Sequence, residues 1–218
     1  GPAFEGMNIT FGMRASTGAI ERFEVDRDGD ISLQTIGGAE AAGICGSGLL
    51  DIVGELVAHG VINRNGTFAG PDAERVPTSL RERIVTREGK RVFRITEKVF
   101  LTQKDVRQVQ LAKGAIRSGI EFLLRHAGVA ASDVDGVLIA GSFGYHLRPK
   151  SLLNTGLLPP EFDGKVDFLG NTSLSGGRAF LINKGLRERM AGEVKDVEVI
   201  ELANDEGFEK TFARALAF

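Results

Sequence analysis

Apolar and polar residues follow the two-residue period of β-strands in the first part of the chain. Patterns of this kind cover residues 8–13, 19–26 and 30–36. The last two flank Asp28-Gly29, a dipeptide typical of tight hairpin turns. The sequence therefore predicts an antiparallel hairpin near the N-terminus, preceded by one more strand.

Farther along, apolar residues recur every three or four positions, which is the period of an amphipathic helix. A first helix follows the glycine-rich segment Gly43–Gly48 and ends at Gly60. The longest helix begins after Thr102, a favourable N-cap with Asp105 three residues later, and its apolar stripe reaches Gly128. The pattern thus predicts two helices with one apolar face each.

The polar stretch between these helices carries weaker signals. Turn residues surround a short predicted helix at 79–84, and two short apolar runs at 92–95 and 99–101 indicate a strand pair. We therefore expect residues 63–101 to form a surface excursion within a single domain that covers residues 1–218.

A short apolar run at 137–140 ends in the small residues Gly141-Ser142-Phe143-Gly144. A run of this length indicates a buried parallel strand that leads into a tight turn. Ligands of α/β proteins bind at turns that follow the carboxyl ends of parallel strands. The sequence therefore places a candidate ligand site at this turn.

The chain after residue 102 alternates between helical and strand patterns. A strand at 166–169 precedes a helix that reaches about Met190, and a strand at 197–202 precedes a final helix at 206–218. This order predicts an α/β fold, with a mixed sheet whose parallel strands are covered by helices and with the antiparallel hairpin at its N-terminal end.

Composition excludes several classes of function. The 27 basic and 29 acidic residues are interspersed, which argues against a nucleic-acid-binding arm and against a polybasic membrane patch. No segment approaches the roughly 18 consecutive apolar residues of a membrane span. The single cysteine, Cys45, cannot form an intrachain disulfide. We therefore expect a cytoplasmic protein.

Several residues admit both a structural and a chemical interpretation. The acidic cluster Asp26–Asp30 lacks the ligand spacing of a calcium loop, so no metal site is predicted. Gly43–Gly48 suits either close packing or an anion-binding helix N-terminus. Lys113 lies inside the apolar stripe of the long helix, where it reaches solvent, pairs with an acid or meets a ligand. Cys45 is best explained as a small buried side chain, and His146 either shapes the ligand pocket or packs.

Five segments occur together in a particular order: Gly1-Pro-Ala-Phe-Glu-Gly6, Gly43-Ile-Cys-Gly-Ser-Gly-Leu-Leu-Asp51, Thr102-Gln-Lys-Asp-Val-Arg-Gln-Val-Gln-Leu-Ala-Lys113, Gly141-Ser-Phe-Gly-Tyr-His-Leu147 and Gly170-Asn-Thr-Ser-Leu174. Together they resemble one protein family, the reductive activators of corrinoid proteins. That family belongs to the actin, sugar kinase and Hsp70-like ATPase superfamily, and the resemblance spans nearly the whole chain. It implies an actin-like ATPase (ribonuclease H-like) lobe.

The resemblance also implies a nucleotide site for ATP or ADP. The turn after the apolar strand is similar to the adenosine motif of the superfamily, with Ser142 as a polar contact. Gln110 and Lys113 resemble the adenosine-side helix of the Hsp70 branch, where a polar residue and a lysine three positions later hold the ribose and base. The implied nucleotide-binding residues, on two sides of one pocket, are Gly141, Ser142, Phe143, Gly144, Gln110 and Lys113.

Other functional parts of the family are not recognisable in this sequence. The Asp-x-Gly-Thr phosphate loops have no counterpart, since Asp205-Glu-Gly207 is followed by Phe208. Cys45 alone cannot hold a [2Fe-2S] cluster. We therefore expect Mg²⁺ and the cluster only in a longer parent protein, of which this chain is the C-terminal lobe. Gly1-Pro2 is then either native or a tag remnant.

Two functions of different classes remain open. The first is the adenosine-side lobe of an ATP-dependent activator that supports reduction of a Co(II) corrinoid protein to Co(I). Its partner is a corrinoid protein or a corrinoid methyltransferase component, and the isolated chain is expected to bind nucleotide weakly and to lack ATPase and redox activity. The second is a protein-binding module with a vestigial pocket, which recognises the corrinoid protein or forms a homodimer. A small-metabolite kinase, a third possibility, is opposed by the missing phosphate-loop Asp.

Overall fold

A computed structural model of the chain describes residues 8–141, 143–202 and 205–218. Within these ranges, small sheets are covered by helices, as the predicted α/β class requires. None of the described helices combines the length and the apolar character that crossing a membrane demands.

The predicted N-terminal hairpin is confirmed. Its first strand pairs antiparallel with the second and parallel with a third, so the first strand lies in the centre of the sheet. The predicted strand at 8–13 is wrong, because this segment contributes only an isolated bridge from Gly12 to Ile44. The strands are β1 (Ala19–Val25), β2 (Ile31–Thr35) and β3 (Gly43–Ile44).

The first predicted helix forms α1 (Gly46–Ala58), which packs on β1. A side chain at Gly48 would collide with the carbonyl oxygen of Ile20, so glycine allows the helix to approach the strand. On the opposite side, α1 contacts α4 (Pro149–Asn154). The helix is thereby enclosed, and its apolar side chains form the centre of the core.

Segment 63–101 contains α2 (Thr78–Arg81) and a second, antiparallel sheet. Its first two strands join through Glu88-Gly89, whose φ angles of 50° and 73° are typical of a type I′ hairpin turn. The predicted strand pair is confirmed, and the first strand of this sheet was missed. Phe93 is fully buried in the main core. The strands are β4 (Ile84–Arg87), β5 (Lys90–Arg94) and β6 (Phe100–Thr102).

The long helix α3 (Gln103–Ala127) has the predicted ends. Thr102 Oγ1 accepts from the Asp105 amide at 3.2 Å, and Asp105 Oδ2 accepts from the Thr102 amide at 2.8 Å. Gly128 terminates the helix in the left-handed region, with φ 66°. Asp105 Oδ1 also accepts from the Thr10 amide at 2.7 Å, which ties the N-terminal segment to this helix.

The apolar run at 137–140 forms β7 (Val137–Ala140), which pairs in parallel with β8 (Val166–Gly170). Val137 and Ile139 pack toward the core. Leu138 is 63% exposed on the other face. The prediction of a buried strand is therefore confirmed for one face and wrong for the other.

The last part of the chain departs from the predicted order. The helix predicted to reach Met190 is two helices, because Asn183 ends the first and caps the second through its Oδ1, which accepts from the Leu186 amide at 3.1 Å. The strand predicted at 197–202 is wrong, since no part of it is strand. The helices are α5 (Thr172–Ile182), α6 (Lys184–Glu193) and α7 (Phe208–Ala215), of which α7 packs on α3.

Candidate functional site

A cavity of about 470 Å³ lies beside the N-terminus of α1. Its walls come from residues 13–15, from residues 45–47 at the start of α1, and from Phe143 and His146 in the turn after β7. Two glycine-rich motifs that are almost one hundred residues apart in sequence thus meet at one cavity. The location is at the carboxyl end of a parallel strand, where α/β folds bind ligands.

The N-terminus of α1 gives the cavity a positive end. Cys45 is the N-cap, and no side chain caps this helix. The Cys45 thiol donates to the Ile20 carbonyl oxygen at 3.3 Å. Amides of the first helical turn carry partial positive charge, and the exposed guanidinium of Arg14 lies in the same wall. The arrangement therefore favours an anionic ligand group.

The glycines around this helix start serve two different purposes. A Cβ at Gly43 would lie 2.6 Å from the Phe11 carbonyl oxygen, and Gly48 is equally confined against β1. Close packing explains both of these glycines. Gly46, in contrast, lines the cavity. Close packing is thus supported at Gly43 and Gly48, and the interpretation as an anion-binding helix N-terminus is supported at Gly46.

The turn after β7 has the backbone conformation that its glycines permit. Gly141 has a φ of 108°, and its amide donates to the Gly170 carbonyl oxygen at 2.8 Å, which holds the turn to β8. A Cβ at Gly144 would lie 2.7 Å from Ile139 Cγ2. Ser142 lies outside the described residues, so its predicted polar contact with a nucleotide stays a prediction.

Gln110 and Lys113 lie at a different place from the Phe143 turn. Both side chains are buried, and both bind the end of the chain. Gln110 Nε2 donates to the Leu216 carbonyl oxygen at 2.8 Å, and Lys113 Nζ donates to that of Ala217. Neither residue lines the cavity described above. Their contact with a nucleotide therefore stays a prediction.

The environment of Lys113 changes its titration. Burial lowers the pKa of its ammonium group from 10.5 to about 8, and repulsion by Arg117 acts in the same direction. The ammonium group lies 5.3 Å from the ring centre of Phe218, a cation–π contact. Lys113 thus meets a polar atom of its own chain, which none of its three interpretations anticipated.

The described residues contain no cluster of three or more His, Cys, Asp or Glu side chains that could hold a metal ion. In the acidic cluster Asp26–Asp30, Asp26 Oδ1 accepts from the amides of Asp28 and Asp30, each at 2.9 Å. This carboxylate therefore stabilises the hairpin turn.

Sequence reasoning missed the contribution of Arg14 and Glu21 to the cavity. Arg14 follows the isolated bridge at Gly12, and Glu21 lies on β1, neither of which carried a recognised motif. The pairing of β1 with β3 brings Glu21 next to the start of α1, and the bridge from Gly12 to Ile44 brings Arg14 there. A hairpin followed by a short parallel strand did not specify this pairing.

The chain was compared with known proteins. The family model described as the C-terminal domain of RACo, the ASKHA domain, matches residues 1–218. The corrinoid activation enzyme RamQ of Eubacterium limosum is 34% identical over 220 residues, which cover 97% of this chain and 37% of that protein. The [Co(II) methylated amine-specific corrinoid protein] reductase of Methanosarcina barkeri is 23% identical over 241 residues, covering 100% of this chain and 41% of that protein.

A solved structure has the same fold. It is named reductive activator for corrinoid, iron-sulfur protein, and it matches with a TM-score of 0.84 and 32% identity over 100% of this chain and 35% of that chain. The chain therefore spans little more than a third of the length of these relatives. The actin-like fold expected from the sequence is confirmed, and the chain belongs to the family of C-terminal ASKHA domains of RACo.

Proposed function

We propose that this chain is the adenosine-side lobe of an ATP-dependent activator that supports reduction of a Co(II) corrinoid protein to Co(I). The names of its relatives, a corrinoid activation enzyme, a Co(II) corrinoid protein reductase and a reductive activator, support this proposal. The observation that carries it is the cavity of about 470 Å³ between the start of α1 and the turn after β7.

The groups around the cavity suit a nucleotide. Phe143 offers an aromatic ring for the base, and the carboxylate of Glu21 can accept from hydroxyl groups of a ribose. Arg14 and the uncapped amides of α1 can bind phosphate oxygens. A ligand that combines a flat ring, hydroxyl groups and an anionic group would use all of them.

In the proposed parent protein, ATP would supply the energy for a movement between two lobes that controls access to the corrinoid partner. The residues of this chain would bind and orient the adenosine side. The phosphate loops, Mg²⁺ and the [2Fe-2S] cluster would lie in the remainder of the parent. The chain alone should consequently bind ATP weakly and hydrolyse none.

Calorimetry of ATP binding tests the cavity with a matched pair of variants. Phe143→Ala should lower the affinity for ATP about tenfold, because the base loses an aromatic contact. Phe180→Ala, on α5, removes a ring that is also exposed and should leave the affinity unchanged. Equal affinities for wild type and Phe143→Ala would contradict the proposed site.

Reduction of the corrinoid cobalt, followed by its absorption spectrum, tests the wider proposal in the full-length protein. Gly141→Val places a side chain at a φ of 108° and should distort the turn. We expect it to abolish ATP-dependent formation of Co(I) while the protein still binds its corrinoid partner. Unchanged cobalt reduction in this variant would refute the assignment of the turn.

A protein-binding module with a vestigial nucleotide pocket is the second candidate. The contacts of Gln110 and Lys113 with the last residues of the chain favour it, because two of the predicted nucleotide ligands then have a structural role. If wild type binds the corrinoid protein and shows no heat of ATP binding in the full-length protein, this candidate replaces the first.

A further inference from the structure

A second cavity of about 770 Å³ lies between the β4–β6 sheet and the start of α3. Five of its 14 lining residues are basic and one is acidic, although the whole chain has a net charge of −2. We name this cavity the basic groove. Its charged lining residues are Arg87, Lys90, Arg91, Lys104, Arg107 and Glu88.

The cations of the basic groove lack acidic partners within the part of the chain that the structure describes. No carboxylate there lies within 4.0 Å of any of the five basic groups. Arg91 donates to the Ala69 carbonyl oxygen at 3.3 Å, and Arg107 donates to Gln110 Oε1 at 3.0 Å. These neutral partners hold the two guanidinium groups and leave their positive charge uncompensated.

Local interactions disfavour several of these cations. Arg87 and Lys90 lie directly opposite each other across the hairpin turn, and like charges in such cross-strand pairs are destabilising. Lys104 lies in the first turn of α3, where the helix dipole repels a positive charge. These repulsions act against folding, and an anionic partner would relieve them.

We propose that the basic groove binds an acidic segment of a partner protein. The cations are exposed and distributed over a hairpin and a helix, which suits carboxylates spaced along a chain. A small phosphate ligand would require buried, convergent donors. Single-stranded nucleic acid is bound through free aromatic rings on which bases stack, but Phe100 is 9% exposed and lies under Arg87, 4.3 Å from its guanidinium carbon.

This proposal does not depend on nucleotide binding, and its test uses the full-length protein. The probe is a fluorescently labelled peptide of alternating glutamate and glycine, followed by anisotropy, with a glutamine–glycine peptide for comparison. The glutamate peptide should bind at low ionic strength and lose most of its affinity at about 0.5 M salt. The glutamine peptide should not bind.

A double variant, Arg87→Glu with Lys104→Glu, should lower affinity for the glutamate peptide at least about tenfold. The matched control, Arg187→Glu with Lys195→Glu, changes one exposed arginine and one exposed lysine near α6 and should change affinity less than about twofold. The groove variant should unfold at about the same temperature as wild type, because the repulsion it removes offsets the lost contact between Arg87 and the Phe100 ring.

Three results would overturn the proposal. An equal loss of affinity in the control variant would show that charge acts without regard to location. Binding of the glutamine peptide as tight as that of the glutamate peptide would exclude recognition of carboxylates. Tighter binding of inorganic triphosphate or of a short single-stranded DNA at the groove, lost in the groove variant, would assign it to phosphates instead.

Discussion

Helices α1 and α5 are similar in their content of glycine and aliphatic residues and opposite in environment. Each contains two or more glycines and several aliphatic residues. Eleven of the 13 residues of α1 are buried, whereas α5 has no buried residue. The difference arises because α1 lies between β1 and α4, while Leu174 and Leu181 of α5 remain exposed. Composition thus does not decide burial; the neighbouring elements do.

The same contrast extends to charged groups. Asp51 and Glu55 of α1 are buried carboxylates that pair with Arg148 and Lys150 at the start of α4. In α6, which continues from α5, the ion pairs between residues four apart are exposed on both sides. The first set must be satisfied within the fold, whereas water can satisfy the second.

The largest expected effect is the loss of a core leucine. Leu56→Ala should lower the free energy of unfolding by about 3–4 kcal/mol, because Leu56 is 0% exposed and the truncation leaves a cavity. Leu181→Ala, 77% exposed on α5, should change it by less than about 0.5 kcal/mol. Urea unfolding measures both values. Similar losses in the two variants would show that α5 is packed in solution.

The next largest effect on stability is expected from removing Arg148, and the matched control removes Arg189 of α6. Arg148 Nε donates to Asp51 Oδ1 at 3.0 Å, and Arg148→Met would leave this buried carboxylate with less charge compensation. We expect Arg148→Met to lower the free energy of unfolding by about 2–3 kcal/mol. Arg189→Met breaks an exposed pair with Glu193 and should cost less than about 0.5 kcal/mol.

A double-mutant cycle separates the energy of the charge pair between Arg148 and Asp51 from the energy of packing the two side chains. The variant that combines Arg148→Met with Asp51→Asn should be more stable than the sum of the single losses predicts, because both partners of the pair are then uncharged. Strict additivity would mean that Arg148 stabilises the fold through contacts other than the charge on Asp51.

Much of the fold could be predicted from local sequence signals. Thr102 with Asp105 located the start of α3, Gly128 located its end, and Asp28-Gly29 located the hairpin. These features depend on residues close together in sequence, whose hydrogen bonds and backbone preferences act without the rest of the chain. Local signals therefore specified where elements begin and end.

The candidate site could be predicted only in part, because it depends on contacts between distant residues. The sequence indicated the turn at Phe143 and the glycine-rich start of α1, but not that they share a cavity. Lys113 was an unusual residue in an apolar stripe, and nothing local identified Ala217 as its partner. A helical period shows on which face of its helix a residue lies, but it does not show which other element packs against that face.

Titration of Lys113 should give a smaller, pH-dependent effect. Its pKa is about 8 in the folded protein against 10.5 for an unperturbed lysine, so the unfolded chain binds more protons between these values. The free energy of unfolding should therefore rise with pH over this window, by roughly 1–2 kcal/mol between pH 8 and 10. Urea midpoints at several pH values measure the rise.

Lys113→Met is the control for that titration. It keeps a long side chain in the buried position and removes the titrating group, so the rise attributable to this site should disappear while other lysines titrate as before. A rise of unchanged size in Lys113→Met would show that a different group is responsible.

The smallest expected effect, and the only gain, comes from a glycine in α5. A Cβ at Gly176 would have no atom within 4 Å, so Gly176→Ala should stabilise the protein by about 0.5–1 kcal/mol through helix propensity alone. A Cβ at Gly54 of α1 would lie 3.2 Å from the Ser151 backbone, so the same substitution there should lose that gain. Thermal unfolding of the two variants compares them directly. A gain at both positions would mean that α4 can shift to accommodate the added methyl group. The close packing around α1 would then contribute less to stability than its burial indicates.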